Sequence, residues 1–221
     1  SLTPQNEPLN PGNNPSMYMS ALMQGTFVAK ALGPVFEKQG IQTKIVIYDH
    51  NCDHPEYAIE LLNVPEVRKY VNGSAFHLYG GDISAMSQVQ KAHPDKDLYF
   101  TEQWTGAKGD FVSEFMWHMK NVIIGSVNNH AKAVIEWNLA TDPTYGPHTP
   151  GGCSECLGAL TIGGQEITRN QSYYIVMQAA KFIPPGSIRI GISAPLGIQA
   201  AAFKRPDGKI VVLVQRMKLW A

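Results

Sequence analysis

The sequence predicts an α/β fold in which a parallel sheet or barrel is followed by a small all-β module. Apolar segments that end in polar residues alternate five times with helical segments, which is typical of parallel strand–helix units. From residue 184 the pattern changes to short strands around Asp207-Gly208, a hairpin turn signal, with no further helix predicted. A chain of 221 residues is long enough to bury a substantial core, so disorder is not expected.

The first units are predicted from strand composition and helix-terminating residues. A helix is expected from Ser16, a suitable N-cap, to Gly40, a suitable stop. A β-branched strand over residues 41–51 follows, and then a helical stretch from about Pro55 to Val71. The next unit combines the strand "SAFHLYGGD" with the helical segment "ISAMSQVQKAH".

The last two units repeat this order. A strand from Asp97 to Trp104 precedes a helix from about Asp110 to Asn128. A strand from Ala133 to Asp142 precedes a long polar loop and the helical segment "SYYIVMQAAKF". The chain therefore has the element order of a parallel α/β sheet or barrel.

Charge and composition narrow the class of ligand. Lys plus Arg and Asp plus Glu both number 18, so no overall positive field attracts nucleic acid or an anionic membrane surface. No apolar run approaches the roughly 20 residues of a membrane helix, so no membrane span is predicted. Frequent Trp, Tyr, His, Asn and Gln side chains favour an uncharged polar ligand such as a sugar, and no cofactor is predicted.

Candidate site residues are expected at the predicted strand ends, because strand ends and the loops after them build the active site of a parallel barrel. These positions are Asn6, Glu7, Asp49, His50, Asn51, His77, Tyr79, Glu102, Gln103, Trp104, Trp137 and Asn138. Glu7 and Glu102 are two carboxylates on non-adjacent strands among aromatic and amide side chains. This arrangement fits glycoside hydrolysis, in which one acid protonates the leaving oxygen and the other attacks or activates water.

Four motifs carry a family resemblance: "TPQNEP", "YFTEQWTG", "WNLATDP" and "FIPPGSIRIG". In this order they resemble glycoside hydrolase family 30, retaining β-glycosidases that include glucosylceramidases and endo-β-1,6-glucanases. The resemblance implies a (β/α)8 TIM barrel whose strands 4 to 8 are supplied by residues 1–183, and the start of an all-β sandwich module in residues 184–221. It also implies a β-linked carbohydrate or glycoconjugate substrate, and export, secreted or periplasmic, of the full-length protein.

The same resemblance assigns roles by position. Glu7 matches the general acid/base and Glu102 the nucleophile of a double displacement, with the carboxyl groups expected about 5 Å apart. An ionised Glu102 is then expected to raise the pKa of Glu7 and keep it protonated. Asn6 matches the residue that binds the sugar 2-hydroxyl. His77 and Tyr79 match a pair bordering the nucleophile, and Trp137 the aromatic platform under the sugar ring.

Structural alternatives stay open for the candidate substrate-binding residues. Tyr79 and Trp137 could be simple core aromatics, and His77 could be either a brace for the catalytic residues or a packed core histidine. Trp104 lines the cleft or only caps the barrel rim. The sequence does not decide between these alternatives.

A rival reading is a metal site. The hexapeptide "DHNCDH" (Asp49 to His54) together with Cys153 and Cys156 could bind zinc, and the protein would then be a zinc-dependent hydrolase. We predict no metal, because structural zinc sites need two well-spaced ligand pairs and the chain has one CxxC. Cys153 and Cys156 are instead expected to form a loop-closing disulfide or to be two unpaired thiols.

The resemblance also implies that barrel strands 1 to 3 have no counterpart in these residues. We expect a partial reading of a longer protein, and the alternatives are a second chain that completes the barrel or self-association through exposed strand edges. The functional alternative is a non-catalytic carbohydrate-binding remnant of the same fold.

Overall fold

The computed structural model of the chain describes residues 1–216. It consists of two compact units. The first comprises Ser1–Glu102, Asn129–Ile135 and Thr149–Gly152, and the second comprises Gln103–Asn128, Glu136–His148 and residues 153–216. The final part of the predicted sandwich module, residues 217–221, lies outside the described residues. The predicted division at residue 183 stays a prediction.

The strands are short except where they form the main sheets. In chain order they are β1 Ile45–Cys52, β2 Val71–Gly81, β3 Asp97–Glu102, β4 Thr105–Gly106, β5 Ala131–Val134, β6 Ala140–Thr141, β7 Cys156–Leu157, β8 Leu160–Gly163, β9 Glu166–Arg169, β10 Ile188–Ile190, β11 Ile198–Lys204 and β12 Ile210–Arg216. The helices are α1 Ala21–Phe27, α2 Gly33–Gln39, α3 Pro55–Asn63, α4 Pro65–Arg68, α5 Ala85–Ala92, α6 Phe111–His118, α7 Gly125–Asn128 and α8 Gln171–Ala180. Single π-helical segments, Val28–Leu32 and Met119–Ile124, connect α1 to α2 and α6 to α7.

A parallel sheet in the order β1-β2-β3-β5 forms the centre of the first unit. Leu2 adds a parallel bridge to Ile45 at the free edge of β1, so the chain opening lies where a further strand would pair. Strand order follows chain order and helices connect the strands, which confirms the predicted α/β class. Ile47, Phe76 and Phe100 are fully buried in this sheet.

The first helical segment begins later than predicted. Ser16 does not cap it; the Ser20 hydroxyl accepts a hydrogen bond from the Met23 N–H at 3.3 Å, and α1 starts at Ala21. Ser20 is also a good N-cap type, so composition alone does not choose between the two serines. The helical segment ends as predicted at Gly40, which has a left-handed φ of 65°.

Two other predicted elements were too long. The stretch from Pro55 to Val71 is divided because Val64, the residue before Pro65, is extended and ends α3. The predicted strand from Ala133 to Asp142 ends at Val134, and Ala140–Thr141 pairs with β8 instead. The two π-helical segments and the short strands β7 to β9 of the polar loop were not predicted.

The second unit contains a helical layer and an antiparallel sheet. Asp110 caps α6 by accepting the Ser113 N–H at 2.8 Å, and α6 packs on α8. Strands β10, β11 and β12 form an antiparallel sheet, and Gly208 takes a φ of 82° in the predicted turn between β11 and β12. That this sheet begins a β-sandwich stays a prediction. Among residues 1–216, no helix is both long and apolar enough to cross a membrane.

Candidate active site

A β-bulge in β1 directs Asp49 into the site of the first unit. Tyr48 pairs with Ala75 and His50 pairs with Phe76, so Asp49 is an extra residue between them. Tyr48 and Asp49 both have left-handed φ angles, 74° and 61°. Bulges redirect side chains, and positive φ angles at non-glycine residues concentrate at functional sites. The backbone therefore carries local strain at the point where the Asp49 carboxylate enters the site.

Glu7 is held at its backbone and at its carboxylate. Its φ is 46°, and its N–H donates to the Asp49 carbonyl oxygen at 2.9 Å. The amide nitrogens of Asn10 and Asn13 donate to Glu7 Oε2 at 2.8 and 3.3 Å. Only 6% of the residue is exposed, so these contacts replace water as donors to the carboxylate.

His77, on β2, lies between two carboxylates. Its Nδ1 is 3.1 Å from Glu7 Oε1 and its Nε2 is 3.2 Å from Asp49 Oδ1. A histidine that donates from both ring nitrogens is an imidazolium. Burial alone lowers the pKa of His77, but the hydrogen bonds to Asp49 and Glu7 outweigh burial and raise that pKa to about 9. His77 is therefore a buried cation that hydrogen-bonds both Glu7 and Asp49.

Asp49 contacts the second ring nitrogen of His77 and is itself held by two hydroxyl groups. The hydroxyls of Thr3 and Thr101 donate to its two carboxylate oxygens at 2.6 and 2.7 Å. Burial raises the pKa of Asp49, but His77 and the two threonines more than offset this and lower it. Asp49 stays ionised and orients the imidazole of His77.

Glu102 ends β3 and accepts a hydrogen bond from Tyr79. The phenol of Tyr79 lies 3.1 Å from Glu102 Oε1, and its ring stands perpendicular to that of His77. Burial raises the pKa of Glu102; the positive charge of His77 opposes this and the negative charge of Glu7 adds to it. Tyr79 is 40% exposed and contacts the carboxylate, so it is not a simple core aromatic.

Glu7, His77 and Glu102 form a compact cluster. Each contributes an oxygen or nitrogen atom, and these atoms all lie within 4.8 Å of one another. Two carboxylates and an imidazole could also bind a cation, but a metal needs a free lone pair on the imidazole. Both nitrogens of His77 instead face carboxylates as donors, so the arrangement is suited to proton transfer and nucleophilic attack.

The two pKa shifts run opposite to the expected order. His77 and Asn10 outweigh burial and lower the pKa of Glu7, whereas burial raises the pKa of Glu102. The expected order rested on the mutual repulsion of the carboxylates alone. The imidazolium of His77 reverses it, because it hydrogen-bonds Glu7 directly and reaches Glu102 only through its charge.

The remaining predicted residues lie in separate units, Asn6 in a bend of the first and Trp104 and Trp137 in the second. Asn6 is exposed beside Glu7 in the first unit. In the second unit, Trp104 and Trp137 form a parallel β-bridge, and the Trp137 N–H donates to the Gln103 carbonyl at 2.8 Å. The Trp137–Asn138 peptide bond is cis, and Trp137 is 46% exposed, which excludes a buried core role.

The alternative zinc site cannot have Cys153 and Cys156 as thiolate ligands. Cys153 and Cys156 form a disulfide in the second unit, so neither offers a thiolate. Cys52 is a buried free thiol of the first unit, and His54 pairs with Glu56 at 2.8 Å. Burial raises the pKa of Cys52 to about 12, which disfavours its thiolate form.

Some site residues were missed by the sequence analysis. Asp49 was among the strand-end candidates but received no role, and the supporting residues Thr3, Asn10, Asn13 and Thr101 were not considered. Asn10 and Asn13 follow Glu7 by three and six residues, so a turn that folds back on Glu7 could have suggested them. Thr101 precedes Glu102 on β3, and simple strand alternation would direct these two side chains to opposite faces. A register shift between the Phe76–Phe100 and His77–Glu102 pairs leaves Thr101 as an extra residue whose hydroxyl reaches Asp49, and nothing in the sequence indicates this contact.

Comparison with known proteins identifies the family of the chain. Residues 1–183 match the family model described as "Glycosyl hydrolase family 30 TIM-barrel domain". The chain is 34% identical over 225 residues to the endo-1,6-beta-D-glucanase neg1 of Aspergillus fumigatus, covering 97% of the chain and 44% of that protein. It is 26% identical over 204 residues to the lysosomal acid glucosylceramidase of Mus musculus, covering 86% of the chain and 40% of that protein.

A solved structure gives the same result. The endo-beta1,6-glucanase BT3312 matches with a TM-score of 0.91 and 36% identity, covering 97% of the chain and 51% of that protein. The chain thus spans about half the length, or slightly less, of the relatives it matches. On the match to residues 1–183, the chain belongs to glycosyl hydrolase family 30.

Proposed function

We propose that the protein containing this chain is a retaining β-glycosidase that cleaves β-glucosidic bonds by double displacement. The observation that carries the proposal is the cluster of Glu7, His77 and Glu102, whose contacting atoms lie within 4.8 Å of one another. Retaining enzymes hold the two carboxyl groups about 5–5.5 Å apart, whereas inverting enzymes leave about 6.5–9.5 Å for a water molecule. The short separation therefore favours covalent catalysis over direct attack by water.

Glu102 is the proposed nucleophile and Glu7 the acid/base. In the first step a carboxylate oxygen of Glu102 bonds to the anomeric carbon, the glycosidic C–O bond breaks, and Glu7 donates a proton to the leaving oxygen. In the second step a water molecule gives a proton to Glu7, and its oxygen displaces Glu102. Tyr79 favours the anionic form of Glu102 through its hydrogen bond.

Glu102 has a raised pKa and Glu7 a lowered one, which is the reverse of the order that the first step needs. Two carboxylates this close titrate as a coupled pair, so a small change can shift the proton affinity from one to the other. We propose that sugar binding raises the pKa of Glu7 relative to that of Glu102, so that Glu7 carries the proton for the first step. The alternative assignment, with Glu102 as acid and Glu7 as nucleophile, is favoured only by the raised pKa of Glu102 and the lowered pKa of Glu7.

β-1,6-Glucan is the proposed substrate. Relatives named endo-1,6-beta-glucanase are 31–34% identical to the chain, whereas those named glucosylceramidase are 26–29% identical. A glucosylceramide-like conjugate is the second candidate. Asn6, Trp104 and Trp137 are proposed to bind the sugar, and export of the protein remains a proposal as well.

Azide rescue tests both the function and the assignment. Glu102→Gln should abolish hydrolysis of an aryl β-glucoside and of β-1,6-glucan. Glu7→Ala should keep the first step for an aryl glucoside with a good leaving group, and azide should then release a β-glucosyl azide. An α-glucosyl azide from the Glu7 variant would instead make Glu7 the nucleophile, and unchanged hydrolysis in both variants would remove the proposal.

A non-catalytic sugar-binding protein is the second candidate function. It predicts that the wild-type protein binds β-1,6-gluco-oligosaccharides and hydrolyses neither substrate. The intact cluster with Tyr79 bonded to Glu102 argues against loss of catalysis, because a decayed site has no need for a hydrogen bond to the nucleophile. Product analysis by chromatography separates the two functions.

A further inference from the structure

A cavity lies entirely within the second unit, and neither Glu7 nor Glu102 lines it. Its volume is about 530 Å³, within the roughly 300–1,000 Å³ usual for ligand pockets. It opens beside α6 and the segment after β3. Its lining includes Gln103, Trp104, Glu114, Trp117 and His118.

The cavity carries two indole rings. Trp117 is 42% exposed, and its ring meets that of His118 at 5.1 Å between centroids. Gly106 has no side chain to cover the six-membered ring of Trp104. A Cβ at this position would lie 3.5 Å from that ring, in van der Waals contact with it. Exposed indole faces with polar groups beside them are suited to ligands with both apolar and hydrogen-bonding surfaces.

A hydrogen-bond acceptor in the wall has no partner. Gln103 is 6% exposed and lines the cavity, and within residues 1–216 its side-chain oxygen Oε1 receives no hydrogen bond. A buried polar atom left without a partner costs about 1–3 kcal/mol. Less than 1 Å² of Oε1 is accessible, so a ligand hydroxyl reaches this atom only after the Gln103 side chain rotates toward the cavity, and the hydrogen bond formed there would remove this cost.

Two further lining residues, Glu114 and His118, belong to a chain of contacting polar groups. Buried His118 contacts Glu136 Oε1 through Nδ1 at 2.9 Å and Glu114 Oε2 through Nε2 at 3.4 Å. Gly109 permits the position of Glu114, because an added Cβ would lie 2.5 Å from Glu114 Oε1. The Glu114 carboxylate is therefore held in place at the cavity wall, where it can accept hydrogen bonds from hydroxyl groups.

The charged side chains that line the cavity favour a neutral ligand. Lys108 is paired with Glu155, which leaves the Glu114 carboxylate without a compensating lysine or arginine among the residues that line the cavity. Phosphate, sulfate and acidic sugars would be repelled by this carboxylate. From the two indoles, the unsatisfied amide and the carboxylate we propose that this cavity is a second binding site for a neutral sugar residue.

The test is a calorimetric titration of the full-length protein with gentiotetraose, the β-1,6-linked glucose tetramer. The choice of this probe rests on the proposed function, and Glu102→Gln is the parent so that the probe is not hydrolysed. Trp117→Ala and Gln103→Leu should each weaken one binding event at least tenfold in calorimetry. Phe182→Ala is the control, because Phe182 is also an exposed aromatic of the second unit and does not line the cavity.

Oxidative footprinting of the parent protein tests the inference even when a variant does not fold. Gentiotetraose should slow the oxidation of Trp117 by N-bromosuccinimide, measured by peptide mass spectrometry. Parental affinity in both variants, an unprotected Trp117, or no binding by the parent at millimolar probe overturns the inference. If the azide and hydrolysis experiments fail while Trp117→Ala still loses binding, the proposed function is wrong and the sugar site stands.

Discussion

The Nδ1 atom of His77 lies 3.1 Å from Oε1 of Glu7, and the other ring nitrogen lies 3.2 Å from Asp49. A buried imidazolium thus holds two carboxylates in the first unit. Breaking such a buried pair by removing one partner costs about 3–5 kcal/mol, because a charge remains buried without compensation. This relationship ties the stability of the unit to the protonation of one histidine.

His77→Gln should therefore destabilise the protein in a pH-dependent way. The folded pKa of His77, about 9, exceeds its ordinary value of 6.5, so its contribution is complete below pH 6.5 and is lost as the pH rises through about 9. We expect the variant to lose about 3 kcal/mol of unfolding free energy at pH 6, and the difference from wild type to shrink by pH 10. Urea denaturation across this range measures it.

The matched control is His93→Gln. His93 is also buried, but burial and the nearby Arg68 lower its pKa, so it contributes no stability that disappears between pH 6.5 and 9. Its variant should differ from wild type by a constant amount over that range. A constant difference for His77→Gln as well would show that His77 is not a cation in the folded protein.

Tyr79→Phe tests the hydrogen bond to the proposed nucleophile. The phenol stabilises the anionic form of Glu102, so its removal should raise the pKa of Glu102 further and move the acid limb of the pH profile to higher pH. We expect kcat/KM for an aryl β-glucoside to fall about tenfold on the acid side, the size of a lost hydrogen bond to a charged group.

The control is Tyr99→Phe, on β3 in the same unit. The Tyr99 hydroxyl donates to Asp97 at 2.9 Å and lies outside the Glu7–Glu102 cluster. This variant should keep the wild-type pH profile. An acid limb that does not move in Tyr79→Phe would mean that the phenol has no effect on the ionisation of Glu102.

The fold and the two central carboxylates were predictable because they depend on local patterns. Alternating apolar strands and helices specify the parallel sheet, and Glu102 stands at the polar end of β3, whereas Glu7 lies in a bend after the isolated bridge at Leu2. Gly40 and the Asp207-Gly208 turn were also predicted, because positive φ angles favour glycine strongly. Pro65 could have divided the helix before it, but the predicted stretch ran through this proline.

The supporting contacts were not predictable because they join distant positions. The bulge at Asp49 depends on how β1 fits β2, and no residue type marks a bulge at a non-glycine position. Thr3 and Thr101 are ordinary strand residues until the fold brings both to Asp49. The pKa order failed for the same reason, since it depends on which carboxylate His77 contacts directly.

Thr101→Val measures the support of Asp49. The substitution keeps the shape of the side chain and removes the 2.7 Å hydrogen bond to Asp49, which should lower the unfolding free energy by about 1–2 kcal/mol at pH 7. In a double-mutant cycle with Asp49→Asn the two effects should not add, because both act on one carboxylate. Thr26→Val, at an exposed helical threonine, should stay within about 0.5 kcal/mol. Additive effects would show that Thr101 acts independently of Asp49.

Gly73→Ala tests the close approach of β2 and β3, which sets the positions of His77 and Glu102. A Cβ at Gly73 would lie 2.0 Å from the backbone oxygen of Asp97, and neither strand can move without disturbing the buried residues Ser74 and Leu98. We expect a loss of about 3 kcal/mol or more in unfolding free energy, the range of severe core overpacking. Gly191→Ala meets no atom within 4 Å and should be neutral to within about 0.5 kcal/mol. Equal urea midpoints for the two variants would mean that the strands separate easily at this point, and the proposed catalytic cluster would then lack the rigid support that we assign to it.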